Sequence, residues 1–426
     1  MRDLFEEFIS SANKSIAIKL VCNESDLKED SDSQSMKEFV PEFCHQLFGE
    51  NEQIFGYKDL RVKLYYSSAK LNCYLSLDFA EKVSKEETDG IEADNVLKII
   101  ADKLEIQLCQ SLDEFRSLLS KETQFKPYGE LIQKFSIDDN IDGNQTKRDF
   151  EIYLTDISTP GFGAYHQRMQ TFLWWFIDAA SYIDTDDDKW QYFLIFEKRS
   201  LNPIPSQPNG HSVNKEEKIY CFVGYSTVYR YYAYPDRMRP RISQFIILPP
   251  FQRRGLGTRL LEAIYLYYKT DKVIDITVED PSDNFTRIRD FVDSKYCRNL
   301  MSFSAENLKK GFNREMSEEA QKEFKISQKQ SRRVYEVLRF RCTDKSNPEE
   351  YKAFRLDVKQ RLNAPTQKQI QDYDKIEKRK IVPPQELSIL RQTSIPTLEL
   401  RIENLDKQYK EMEEEFQAIV ERLAQS

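Results

Sequence analysis

The strongest constraint on this chain is residues 241–269, where a strand, a glycine-bearing turn and a helix follow one another without a spacer. The segment "RISQFIIL" (241–248) is apolar and β-branched enough to be a buried strand, and Pro249 with Pro250 ends it. The turn is "QRRGLG", residues 252–257. After it Leu260, Leu261, Ile264, Tyr265 and Tyr268 recur at helical spacing, which predicts a helix starting at about Thr258 with that residue as its cap. A loop seated on a helix N-terminus offers unpaired backbone N–H groups and the positive end of the macrodipole. Together these hold a phosphate with few side-chain charges. Gly255 and Gly257 would let the backbone approach such an anion closely.

Two phosphate motifs are excluded. No Lys-Ser/Thr pair follows the glycines, so this is not a nucleotide-triphosphate loop, and "TRL" after Gly257 breaks the dinucleotide fingerprint. The spacing of Gln252, Arg253, Arg254, Gly255, Leu256 and Gly257 resembles the Q/R-x-x-G-x-G/A loop that cradles the pyrophosphate of acetyl-CoA in the GNAT acetyltransferases. Alone, the hexad also fits an ordinary glycine turn.

The likeness extends well beyond the hexad. "SQFIILPPFQRRGLGTRLLEAIY", "DITVEDPS" and "RIRDFV" resemble the catalytic subunit of the type B histone acetyltransferases. So do "FCHQLFGENEQIFGYK", "QTFLWWFIDAASYID", "DDDKWQYFLIFEK" and "VGYSTVYRYYAYPD" before them, and "SRRVYEVLRF" and "VERLAQ" after them. The resemblance implies an α/β (α+β) fold in three parts: an N-terminal α/β module over 1–145, a central GNAT acetyl-CoA-binding domain over 146–300 and a helical region over 301–426. It also implies acetyl transfer to lysines in the N-terminal tail of free, newly made histone H4 before chromatin assembly, with histone H3 as companion. A WD-repeat histone chaperone is the expected partner, with the loop 199–217 as one contact, and nucleus and cytoplasm are the expected locations.

Composition agrees with a basic partner. The 426 residues carry a formal net charge of -8, which disfavours direct nucleic-acid binding. Seven dispersed cysteines without a C-x-x-C pair read as reduced thiols. The apolar run 172–183 carries Asp178 and is too short to span a bilayer, and the N-terminus has no apolar signal core, so no membrane role is expected.

Taken in order, alternating residues predict strands at 15–22, 60–66 and 71–79, the last two joined as a hairpin through "SSAK". Helices follow at about 94–103 and 112–119. The polar segment 138–145 reads as a boundary, then come a strand at 149–157 and a long helix over 165–183. Strands are expected at 190–198, 220–229 and 272–279, and a helix at 284–295. Leu398, Ile402, Leu405, Tyr409, Met412, Phe416, Ile419 and Leu423 form an a/d seam too short to specify a dimer, which points to packing on the body of the chain.

Acetylation of lysine needs a neutral amine, and at neutral pH deprotonation costs about 4.6 kcal/mol from a reference pKa near 10.4. A carboxylate must take that proton. Alternation in "DITVED" puts Glu279 at a strand end on the face with Asp275 and Thr277, and the resemblance places the general base there, with Asp280 as a second carboxylate. Asp178, on an aromatic helix, is expected to have a raised pKa or a partner. The family carries a glutamate at that place, so the shorter aspartate is a departure. Both carboxylate positions also fit plain surface roles.

The resemblance gives the backbone of Phe245, Ile246 and Ile247 to the pantetheine, Gln252 to Thr258 to the pyrophosphate, and Phe291 to the cofactor's surroundings. It gives Glu50, Asn51, Glu52, Trp190, Tyr229, Arg230 and Tyr231 to the histone tail, where an acidic patch beside Trp190 suits a cationic peptide. "DTDDD" (184–188) lacks the glycine and glutamate of a calcium loop. His45, His166 and His211 show no ligand or triad spacing, so no metal is expected and direct transfer without an acyl-enzyme is favoured. A GNAT enzyme for a small amine and a histone escort with an idle site are the alternatives.

Overall fold

The computed structural model of the protein describes residues 6–28, 36–86, 90–141, 144–200 and 218–426. The chain divides into two compact units, Met1–Tyr232 with Pro240–Tyr267, and Ala233–Arg239 with Tyr268–Ser426.

The first unit begins with a four-stranded sheet in the order β1 (Ile16–Val21), β2 (Arg61–Ser67), β3 (Cys73–Asp78), β4 (Leu108–Cys109). β1 runs parallel to β2, with Ile18 opposite Leu64. β2 and β3 form the expected hairpin, with Tyr66 opposite Cys73. Helix α1 (Val96–Leu104) is capped by the Asn95 side chain and α2 (Leu112–Leu119) by Ser111. Phe115 and Leu119 of α2 pack on Val21 and Tyr65.

A second set of strands follows: β5 (Glu130–Ile141), β6 (Asn144–Thr155), β7 (Trp190–Ser200), β8 (Lys218–Ala233) and β9 (Arg237–Ile247), side by side in that order. Residues 138–141 and 144–145, in the segment expected as a boundary, instead pair in the β5–β6 ladder, in which Asp139 faces Thr146 and Ile137 faces Arg148. Polar turn formers mark a hairpin tip as readily as a linker.

The long helix expected over 165–183 is broken. It becomes α3 (Phe162–Met169), a 3-10 turn (Gln170–Phe172) and α4 (Leu173–Phe176). Continuing it would need the Trp175 carbonyl one turn on, but that oxygen accepts the N–H groups of Glu42 and Phe43 at 2.9 and 3.1 Å. Ile177 turns extended and Ala179 takes a φ of 49°. Aromatic contacts join these helices to the strands, with Phe172 stacked on Phe222 at 5.9 Å and Tyr165 against Phe196 at 6.4 Å.

Helix α5 (Leu256–Tyr268) follows β9 through a 3-10 turn at Pro249–Phe251. It starts two residues earlier than predicted. Gly255, not Thr258, is the residue whose carbonyl accepts the Arg259 N–H, at 3.1 Å.

In the second unit, Met238 bridges Val273, and only Thr277–Val278 (β10) of the expected strand 272–279 is extended ladder. Helices α6 (Asp283–Cys297), α7 (Arg314–Phe324), α8 (Gln328–Cys342), α9 (Pro348–Lys378), α10 (Pro384–Ser394) and α11 (Leu398–Ala424) follow, with a short helix at Ala305–Lys310 between α6 and α7. The a/d seam is buried only in its second half, Tyr409 to Leu423, where Phe416 meets Phe340 and Phe354. Leu398 and Ile402 are exposed. No described helix is long and apolar enough to cross a membrane.

Candidate active site

The glycine turn of the first unit is shaped by side chains and leaves its amides at a helix mouth. Arg253 and Gly255 take φ values of 62° and 77°, so left-handed residues flank Arg254. A Cβ on Gly255 would meet nothing within 4 Å, so the need for glycine there is conformational, not steric. The Leu256 and Gly257 amides open α5, where a helix offers no carbonyl one turn back. That donor set fits a diphosphate. Thr258 is buried within this first turn.

The Gln252 side chain donates to the Ile247 carbonyl at 2.8 Å, closing the turn on its own strand. Of the three strand residues assigned to the pantetheine, Ile247 therefore already uses its carbonyl. Ile246 lies against Gly224 of β8, where an added Cβ would sit 2.1 Å from the Ile246 oxygen. Gly224 also adjoins the register shift between Ile195 and Phe196, so glycine there lets β9 approach β8 just before the turn. Phe245 alternates with buried Gln244 and Ile246 and is half-buried.

Arg254 is not simply a cation facing solvent. Its Nε pairs with Asp139 at 2.7 Å, and it also donates to the Pro250 carbonyl. Asp139 in turn pairs with Arg148 at 2.9 Å, and Arg148 makes a two-pronged contact with Glu197 at 2.7 and 2.8 Å. Burial pushes the Asp139 carboxyl up, but Arg148 and Arg254 more than reverse this and leave it below the usual carboxylate range. Sequence reasoning missed this ion chain because its members are scattered over 139–254. One signal was present: Arg148 is in phase with buried Phe150, Ile152 and Leu154, so an arginine stands on an apolar face.

The expected tail-binding residues fall into two groups within the same unit. Around the short helix His45–Phe48, the Glu52 carboxylate accepts the N–H groups of Cys44 and His45 at 2.5 and 3.0 Å, so it caps that helix, while Glu50 and Asn51 are exposed at the turn. His45 lies 3.4 Å from Asp178 and 3.9 Å from Glu52. Asp178 thus has the partner expected of it, but the setting differs from the prediction. It stands beyond the end of α4 with its side chain 70% exposed, not on a buried aromatic helix. His45, which shows no telling spacing in sequence, is what joins these carboxylates.

The second group lies where β7 and β8 pair. Trp190 is opposite Tyr229, with the rings 4.9 Å apart, and Tyr231 stacks between Tyr229 at 4.5 Å and the Arg241 guanidinium at 4.7 Å. Tyr229 donates to Asp187 at 2.7 Å. The Lys189 amide and that hydroxyl hold the Asp187 carboxyl below its ordinary range. Arg230 folds back to the carbonyls of Asp188 and Lys189 at 2.6 and 3.2 Å, so it clasps the acidic turn. Aromatic faces beside fixed carboxylates suit a cationic chain.

In the second unit, the segment ending at Glu279 is pinned through its backbone. Ile274 donates to Met238 and Ile276 to Lys325, at 3.0 and 2.8 Å, and Arg289 donates to the Ile276 carbonyl at 2.9 Å. Asp275 is buried and paired with Arg239 at 2.6 Å, whereas Glu279 and Asp280 are exposed in a bend where Asp280 has a φ of 32°. Pro281 follows, and Ser282 caps α6. The predicted alternation fails because Asp275 and Ile276 are both buried, the first by its ion pair and the second under α6 and Lys325. Phe291 is buried on α6, with the Arg422 guanidinium 3.8 Å over its ring.

Comparison with known proteins shows the family. Residues 169–289, which hold both the glycine turn and the acidic bend, match the acetyltransferase (GNAT) family. Residues 8–178 match the domain described as histone acetyl transferase HAT1 N-terminus, and residues 289–340 the C-terminal domain of the histone acetyltransferase type B catalytic subunit. The chain is 42% identical over 421 residues to the histone acetyltransferase type B catalytic subunit of Homo sapiens, covering 98% of this chain and 94% of the relative. It is 41% identical to that of Mus musculus, with 98% and 95% covered, and 32% identical to that of Cryptococcus neoformans, with 85% and 90% covered. It is therefore an acyltransferase with a GNAT domain, a class that implies use of acetyl-CoA. More narrowly, the chain belongs to the type B histone acetyltransferase catalytic subunits.

Proposed function

We propose that this protein acetylates lysines in the N-terminal tail of free, newly made histone H4 before chromatin assembly, by direct transfer with Glu279 as general base. The observation that carries this reading is the division of labour in residues 169–289: a glycine turn that leaves backbone amides at a helix mouth, and a backbone-pinned bend that leaves a carboxylate exposed. Bound acetyl-CoA would supply a thioester: the neutral lysine amine attacks its carbonyl, the C–S bond breaks as the amide forms, and coenzyme A leaves as a thiolate that takes up a proton. The amides of residues 253–257 hold the diphosphate, and Gln252 and Arg254 keep the turn in shape. Glu279 takes the amine proton, and Asp280 adds negative charge at the same bend. Asp178, set by His45, and the Trp190, Tyr229 and Tyr231 faces receive the basic tail.

Family membership supports the further expectation that a WD-repeat histone chaperone binds the chain, that histone H3 accompanies H4, and that the protein works in nucleus and cytoplasm. The loop 199–217 named as one contact lies outside the described residues beyond Ser200. Incubation with acetyl-CoA and equal concentrations of H4 tail peptide, H3 tail peptide or spermidine, followed by mass mapping, tests the reading. Acetyl groups on H4 lysines in large excess are expected. Preferential acetylation of spermidine would favour the small-amine alternative, and no transfer at all would favour an escort.

A further inference from the structure

Two cysteines far apart in sequence meet inside the first unit. Cys22, just after β1, has its sulfur 3.5 Å from that of Cys221 on β8, and both are buried. The meeting is built by backbone pairing. Ser68, at the β2–β3 turn, donates to the Val21 carbonyl at 2.9 Å and accepts the Phe222 N–H at 2.8 Å, so the residues next to each cysteine are tied to one point. Arg199, at the end of β7, brings a guanidinium nitrogen to 3.9 Å from the Cys22 sulfur, and its Nε lies 3.6 Å from Glu197. The Asp26 carboxylate also faces this site and accepts the Cys22 N–H at 2.8 Å.

We propose that Cys22 and Cys221 are a site of oxidative modification, forming a reversible disulfide when the protein meets hydrogen peroxide. The Cys22 thiolate attacks a peroxide oxygen and the O–O bond breaks. This leaves a sulfenic acid on Cys22 and releases hydroxide, which takes a proton and departs as water. The Cys221 sulfur then attacks the Cys22 sulfur, the S–O bond breaks, and the leaving hydroxide takes the Cys221 proton as a second water. Two thiols lose two electrons and the peroxide gains them.

Selectivity has a physical basis. A thiol reacts as its thiolate, and a cation beside it raises that fraction. The hydrogen bond from Cys221, the Arg199 charge and a hydrogen bond from Ser68 outweigh burial and Asp26, and hold Cys22 below the ordinary thiol range. Burial pushes the Cys109 and Cys342 thiols, which are more accessible, upward instead. Cys221 is itself pushed well up by burial, so it keeps its proton until the sulfenic oxygen leaves. The sulfurs must close from 3.5 Å to about 2.05 Å, a side-chain movement that the shared anchor at Ser68 permits.

The test uses the reduced full-length protein, titrated with hydrogen peroxide, alkylated in denaturant and mapped by mass spectrometry. A dithiothreitol-cleavable link between the Cys22 and Cys221 peptides is expected before alkylation is lost at Cys109 or Cys342. Arg199→Gln should slow its formation severalfold, because the cation beside the Cys22 sulfur is lost. Cys22→Ser should leave Cys221 alkylatable at the same peroxide dose. The proposal fails if the wild-type protein keeps both thiols alkylatable while Cys109 and Cys342 oxidise. It also fails if Cys22 passes to sulfinic acid without a link, or if Cys221 oxidises equally in Cys22→Ser.

Discussion

In the proposed reaction, the glycine turn of the first unit and the acidic bend of the second put their chemistry in opposite parts of the peptide. In the turn, side chains are committed, Gln252 to the Ile247 carbonyl and Arg254 to Asp139, and the proposed reading gives the ligand contacts to backbone amides. In the bend, the backbone is tied down through Met238, Lys325 and Arg289, and Glu279 lies at the surface. Holding a diphosphate requires several fixed dipoles at once, which backbone supplies at no side-chain entropy. Moving a proton requires one titratable group, which only a side chain supplies.

Substitutions that exchange these roles would break the comparison. Glu279→Gln is expected to lower kcat by roughly 10²- to 10⁴-fold with little change in the KM for acetyl-CoA. Asp275→Asn, four residues earlier, should instead loosen the second unit, because Asp275 is buried against Arg239. Equal kinetic effects from the two would show that the bend does not separate a structural from a chemical carboxylate.

Arg148→Met tests whether the turn is held by the ion chain behind it. It leaves Asp139 and Glu197 without their shared cation, and breaking a buried pair of this kind destabilises by roughly 3–5 kcal/mol, readable in urea unfolding. Arg254→Met removes only the outer member and should raise the KM for acetyl-CoA severalfold with kcat unchanged. A fall in kcat alone would place Arg254 with the bend instead.

A smaller effect is expected of Gly255→Ala. Its Cβ has room, so the change acts only through the left-handed backbone, at about 1 kcal/mol, and should weaken acetyl-CoA binding severalfold in calorimetry. Unaltered binding would mean that the turn's conformation is not what presents the amides. The least effect is one of pH. The folded Asp139 carboxyl lies below its unfolded value, so its contribution is fully present above pH about 4 and is lost only as pH falls through the lower, folded value. Stability that Arg148→Met has already lost should therefore no longer vary across that acid window.

Much of this was legible in the chain, and what was not has particular causes. The strand, turn and helix over 241–269 were readable because strand period, prolines, glycines and helical spacing all agree there, though the cap fell on Gly255 instead of Thr258. The helix over 165–183 was misread because local pattern cannot show that the Trp175 carbonyl is claimed by Glu42 and Phe43, some 130 residues away in sequence. That same event moved Asp178 off its helix and brought it to His45. The β5 strand escaped notice because its C-terminal end, Asp138 to Asn140, is as polar as a linker. The ion chain from Arg254 to Glu197 left only one trace, an arginine in phase with apolar neighbours.

The most direct test of the central claim compares the pH dependence of turnover for the wild-type protein and Glu279→Gln, with acetyl-CoA and H4 tail peptide both saturating. If Glu279 accepts the amine proton, the deficit of the variant should be large at neutral pH and shrink steadily as the pH rises toward the lysine range, where the amine loses its proton unaided. A deficit that is absent at neutral pH, or that stays constant at every pH, would contradict the account.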